Sequence, residues 1–248
     1  MPVMDEFKEE RDQIKNGTFK DKLKYFWCYY KWHTFIGIAA IAFVILLVRD
    51  ITSQKDNAFF AAMLNSLSQE SESPLVSEFA DYAQIDLDKY HVLIDGTMTI
   101  EENATDELSV ASAQRMMVYT ASGELDVIVG GEDVFPNYAY NDMFHDLREV
   151  LSEEQIAKYE PYFYYIDRAV MADVEAAQDN LEDTVIPELP DPTKPEEMTE
   201  PLPVGIFVTD CKKITDNYYF NGDYTVLGIM ANSPSLDNAL KFIDFLFE

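Results

Sequence analysis

Residues 32–48 (WHTFIGIAAIAFVILLV) carry no formal charge apart from a proton that His33 can take up. Extended to Tyr30 and Ile51, the run reaches about 20 residues, the length an α-helix needs to cross roughly 30 Å of hydrocarbon. It is apolar on every face, unlike a helix that packs one side on a core. Lys31 and Arg49 stand at its ends, where long basic side chains reach back to lipid headgroups. Tyr25, Phe26, Trp27, Tyr29, Tyr30 and Trp32 form an aromatic belt at its start, of the kind that settles at a lipid–water interface. The first expected partner is therefore the lipid bilayer, through residues 30–51.

Flanking charge sets an expected orientation. Lys15, Lys20, Lys22, Lys24 and Lys31 precede or open the span, whereas only Arg49 and Lys55 stand just beyond it. The positive-inside rule then assigns residues 1–29 to the cytoplasm and the C-terminal portion to the outside of the cell membrane. A cleaved signal peptide fits less well. Small residues (Gly37, Ala39, Ala40, Ala42) come before the bulkiest stretch, and Val48-Arg49-Asp50 is a poor cleavage site. Cys28 precedes the apolar run, unlike a lipidated cysteine. In the tail, Phe19, Leu23, Phe26 and Tyr30 recur at helical spacing among lysines. That pattern predicts an amphipathic helix on the inner leaflet that turns into the span.

Charge divides at the same place. The chain has 46 acidic and 18 basic side chains, a net of −28. Residues 1–33 hold seven basic and six acidic ones, which leaves 11 basic and 40 acidic in residues 34–248, a net of −29. A surface of that sign repels phosphate backbones and excludes nucleic acid as a partner. Cys28 and Cys211 fall on opposite sides of the expected membrane and cannot pair within one chain. His33, His91 and His145 are scattered, no calcium-loop or zinc spacing occurs, and no nucleophile–base pattern can be argued. The Asn103-Ala104-Thr105 triplet reads as coincidental. The expectation is no metal, no cofactor and no catalysis.

Residues 57–248 alternate strand-like and helix-like segments. Apolar runs at 57–64, 90–94, 125–129, 162–166, 204–209 and 224–231 read as strands. Helices are expected at 73–83 with Leu75, Phe79, Ala80 and Ala83 on one face, and at 106–121 with Val110, Ala113, Met117 and Ala121 on one face. Two more are expected at 135–151 and from Ser233 onward. Runs apolar throughout, alternating with helices, imply an α/β domain with a mainly parallel sheet covered on both faces. Residues 187–203 hold six of the eleven prolines among acids and predict an extended, exposed connector.

Three stretches carry a resemblance. Residues 121–129 (ASGELDVIV), the Phe135-x-x-Tyr138-Ala139 and Asp146-Leu147-x-x-Val150-Leu151 pair, and residues 224–245 (YTVLGIMANSPSLDNALKFIDF) occur in that order. Together they resemble the first lobe of type 2 extracellular solute-binding proteins, the receptors of ABC importers. The resemblance implies a tethered bacterial binding module that recognises a small solute and serves an ABC-type permease. The stretch between Ile166 and Val204 leaves no room for a normal second lobe, so the chain looks like a reduced, membrane-anchored relative.

Ligands of such sheets bind beyond the C-terminal strand ends. Here those ends supply Asn65 and Ser66, Asp95 and Gly96, Gly130 to Asp133, and Thr209 and Asp210. Asn65, Asp95 and Asp133 are the candidate ligand-binding side chains, and Gly131 the point of close backbone approach. The competing expectation is a non-catalytic interaction subunit that docks on a transporter or envelope partner without any solute.

Overall fold

The computed structural model describes residues 18–53, 55–67, 73–101, 106–174 and 188–248. Lys15, the Asn103-Ala104-Thr105 triplet and Pro187 lie outside them, as do the side chains of Tyr25, Phe26, Cys28, Tyr29 and Tyr30. The chain divides into two compact units, Met1–Gln54 and Lys55–Glu248.

The first unit is built on α1 (Phe19–Ser53), 35 residues long. Within it Lys31–Arg49 has a mean hydropathy of 2.0, and among the described residues this is the one helix long and apolar enough to cross a membrane. The expected turn between a surface helix and the span is not there. α1 runs unbroken from Phe19, because no Gly or Pro stands between Thr18 and Gly37 to interrupt the i→i−4 ladder.

The second unit holds β1 (Asp56–Met63), β2 (Tyr90–Asp95), β3 (Val127–Gly131), β4 (Phe163–Asp167), β5 (Pro201–Phe207) and β6 (Thr225–Ile229). They form one sheet in the order β2-β1-β3-β6-β5-β4. β1 is parallel to β2 and β3, whereas the β3–β6, β6–β5 and β5–β4 pairs are antiparallel. The sheet is mixed rather than mainly parallel. Apolar runs report coverage of both faces, and strand direction leaves no mark on them.

That coverage is real. Along β1, Phe59, Ala61 and Met63 enter one core, while Phe60, Ala62 and Leu64 enter the other. On the first face lie α2 (Leu75–Ala83) and, at the C-terminal end, α8 (Leu236–Leu246). Phe59, Phe79 and Phe242 meet there with ring centroids 4.7–5.0 Å apart. On the second face lies α3 (Glu107–Ser122), capped by the Asp106 carboxylate and stopped by Gly123 at φ 66°. Between β3 and β4 come α4 (Phe135–Ala139), α5 (Leu147–Val150) and α6 (Glu153–Tyr159), and between β5 and β6 α7 (Lys212–Thr215). The helix expected over 135–151 is thus divided, and Asp142 at φ 55° marks the break.

The proline-rich connector is not a free spacer. Tyr165 N–H donates to the Pro192 carbonyl (3.0 Å) and Arg168 N–H to that of Glu200 (3.0 Å), so the segment lies along the outer side of β4. The Asp167 carboxylate accepts from the amides of Thr199 (2.8 Å), Glu200 (2.9 Å) and Ala169 (3.0 Å). These bonds, that of Thr199 foremost, hold its pKa below the usual carboxylate value. Pro201 and Pro203 enter β5 itself. They are tolerated because they pair only with β4, while β6 reaches only Ile206 and Phe207.

Candidate functional site

β5 is parallel to β1, β2 and β3, so the C-terminal ends of these four strands share one edge of the sheet. Asn65 sits there at φ 57°, a conformation Asn tolerates better than most residues. Its amide Nδ2 donates to the Ile100 carbonyl (3.0 Å) and to Asp133 Oδ2 (2.7 Å), and its Oδ1 accepts from Ile100 N–H (2.7 Å). Asn65 therefore acts as a stitch between β1 and the segment after β2. Gly131 stands beside this stitch. A Cβ there would lie 2.8 Å from both the Asn221 carbonyl and Asp133 Oδ1, so only glycine lets the two loops approach so closely.

Asp95 points elsewhere. It accepts from Thr97 N–H (2.8 Å) and Thr97 Oγ1 (2.6 Å), and pairs with Arg115 Nη2 at 2.6 Å. The fold brings Asn65, Gly131 and Asp133 together and leaves Asp95 in a separate groove along β2.

The same sheet edge holds a cavity of about 500 Å³ at the end of β5. Its walls include Tyr162 and Phe247 on one side and Phe207 and Cys211 on the other, with Asp210 and Lys212 at its polar part. That volume falls within the range of small-molecule sites, and the mixture of aromatic wall with a few polar groups is typical of them. Neither Asn65, Asp95, Gly131 nor Asp133 lines it. Thr209 and Asp210 do, so the sequence argument about strand ends reaches the cavity through β5 alone.

The chemistry of the walls is uneven. Lys213 is committed: its Nζ donates to the Phe245 carbonyl (2.5 Å) and lies 4.2 Å from the Phe245 ring centroid. The Lys212 side chain is exposed at the cavity wall. Thr209 Oγ1 is engaged with the backbone of Thr225, accepting from its N–H at 2.9 Å. Burial, and then the Asp210 charge, push the Cys211 thiol up to about 11. It stays protonated at neutral pH, which removes its nucleophilic character. Among the described residues no three His, Cys, Asp or Glu side chains converge to hold a metal ion.

Sequence reasoning passed over Tyr162, Phe207 and Phe247 because aromatic residues at strand or helix spacing usually fill cores. No signal in the chain distinguishes a ring that ends at a cavity from one that ends in a core. A search of family models, of curated proteins and of solved structures finds no match to this chain.

Proposed function

We propose that the chain is a membrane-tethered binding module, without catalytic activity, that captures a small solute in the cavity at the end of β5. In this reading α1 is an uncleaved anchor in a bacterial cell membrane. Residues 1–29 face the cytoplasm, and the acidic domain outside presents the solute to an ABC-type permease. The cavity is the observation that carries the reading. Its walls favour a ligand with an apolar body against Tyr162, Phe207 and Phe247 and a carboxylate near Lys212. The three stretches similar to solute-binding proteins support the same conclusion. Asn65, Gly131 and Asp133 then shape the neighbouring edge, and Asp95 steadies Arg115.

The test is a thermal-shift screen of the full chain in detergent with amino acids, peptides, sugars and polyamines. A carboxylate-bearing ligand should raise the midpoint by a few degrees at saturating concentration. The shift should vanish in Lys212→Ala while the unliganded midpoint stays put. No shift from any class at millimolar ligand removes solute capture from consideration. The second reading, an interaction subunit without a solute, is favoured by a different observation, the open edge at β2.

A further inference from the structure

The sheet has two edges, and they are treated differently. β4 is covered on its outer side by the proline-rich connector. β2 pairs with β1 alone, and among the described residues no strand lies on its other side. An edge strand presents alternate N–H and C=O groups to whatever approaches, and natural domains usually blunt such edges with charge, bulges or cover. β2 is blunted very little. Tyr90 is 44% and Leu93 40% exposed on the strand itself. A groove of about 790 Å³ follows this edge, bounded by Pro74 and Val76 on one face and by Arg115 and Tyr119 of α3 on the other.

α3 adds a second, independent observation. Its buried stripe is Ser109, Ser112 and Met116. Its large apolar residues point outward instead: Leu108 is 66%, Met117 73% and Val118 62% exposed. Leu108, Ala111, Arg115 and Val118 recur at i, i+3, i+7 and i+10, a row on the groove side of the helix. A helix of this composition beside an open strand is suited to contact and poorly suited to water.

Charge selects the occupant. Residues 90–100 and 108–123 together contain one carboxylate, Asp95, and one guanidinium, Arg115, and these neutralise each other at 2.6 Å. Residues 34–248 as a whole carry −29. A basic partner would settle on the acidic remainder of the domain. What fits this neutral patch is another neutral, apolar surface with an unpaired strand, and a second copy of this chain offers one. We propose that two copies join β2 to β2 in antiparallel register, extending the sheet across a two-fold axis, with α3 of each copy flanking the new seam. A two-fold axis at Val92 sets Lys89 opposite Asp95 of the second copy, which adds opposite charges at both ends of the seam. Two domains of −29 would repel each other across almost any other contact.

The experiment uses the full chain in detergent, with sedimentation velocity from about 1 to about 100 μM, the range in which a dimer of ordinary interface size assembles. The wild type should pass from monomer to dimer. Leu93→Lys, which charges an exposed strand position, and Val118→Glu, on the exposed side of α3, should each weaken the dimer at least about tenfold. Thermal midpoints of both variants, measured where all are monomeric, serve as the fold control. Amide exchange over residues 90–95 should slow as concentration rises in the wild type and not in Leu93→Lys. A monomer throughout the range overturns the proposal. So does a dimer that neither substitution moves, since the copies would then meet elsewhere. Sensitivity to Val118→Glu without sensitivity to Leu93→Lys overturns the strand pairing. None of these readouts depends on the solute cavity.

Discussion

α2 and α3 both follow a strand and both cover one face of the same sheet, yet they use their apolar residues in opposite ways. α2 buries Leu75, Phe79, Ala80 and Ala83, the face its periodicity defines. α3 buries Ser109, Ser112 and Met116 and leaves Val110, Ala113, Met117 and Ala121 exposed, although these four also share a face. The difference lies in the neighbours. α2 packs against α8, and Phe79 touches rings of Phe59, Phe242 and Phe245. On its flank away from β2, α3 meets only a shallow depression lined by Ile100, Tyr138 and Met143. Periodicity names a face, and a partner is needed to bury it.

Substitution separates the two helices most sharply. Phe79→Ala should cost about 3–5 kcal/mol in denaturant unfolding, because it empties a fully enclosed ring site. Met117→Ala on α3, at a residue 73% exposed, should stay within about 0.5 kcal/mol in the monomer. Equal losses at the two sites would mean that α3 is packed after all.

Between the helices stands Asp126, 1% exposed, which holds the β1 side of the sheet to the loop before α8. Its carboxylate accepts from Phe60 N–H (2.9 Å), Ser233 Oγ (2.5 Å) and Ser235 N–H (2.9 Å). Asp126→Ala leaves these donors without their acceptor and should cost about 2–3 kcal/mol. Loss of less than the cost of one donor would show that water or rearrangement replaces the carboxylate.

The smallest effect is one of pH. Burial, outweighing the Ser233, Phe60 and Ser235 hydrogen bonds, raises the Asp126 pKa above its ordinary value. The folded state then holds this proton more tightly than the unfolded chain, so the group's contribution to stability falls as pH rises through the folded pKa. Asp106, which caps α3, and Asp167 have lowered values, set foremost by the Ser109 hydroxyl and by the Thr199 amide. Their contributions are present above the unfolded pKa and disappear as pH falls through the folded one. Unfolding midpoints of wild type and Asp126→Asn between about pH 3 and pH 7 should therefore diverge, the wild type losing ground as pH rises. A constant difference between them over that window would contradict the raised value.

Much of this fold is legible in the chain. All six strands fall on the apolar runs, α2 and α8 bury faces close to those their periodicity marks, and the span in α1 needs no tertiary context. Strand direction was not legible, since a β3–β6 pair buried on both sides has the same composition whether parallel or antiparallel. The candidate site divides in the same manner. Asn65, Gly131 and Asp133 are ordinary turn residues in the sequence, and in the fold they do hold a turn together. The cavity wall, in contrast, draws Tyr162, Phe207 and Phe247 from three distant stretches. No local pattern relates them.

By itself the sequence determined where the apolar helix lies, where the acid is concentrated, and which segments form strands and helices. Each of these is a property of neighbouring residues: the length of an apolar run, a sum of charges, a period of two or 3.6. Tertiary structure alone decided the strand order, the cover over β4, the open edge at β2, and the exposure of α3. These depend on contacts between residues far apart in the chain, where the free energy of burial is settled by which surface happens to face which.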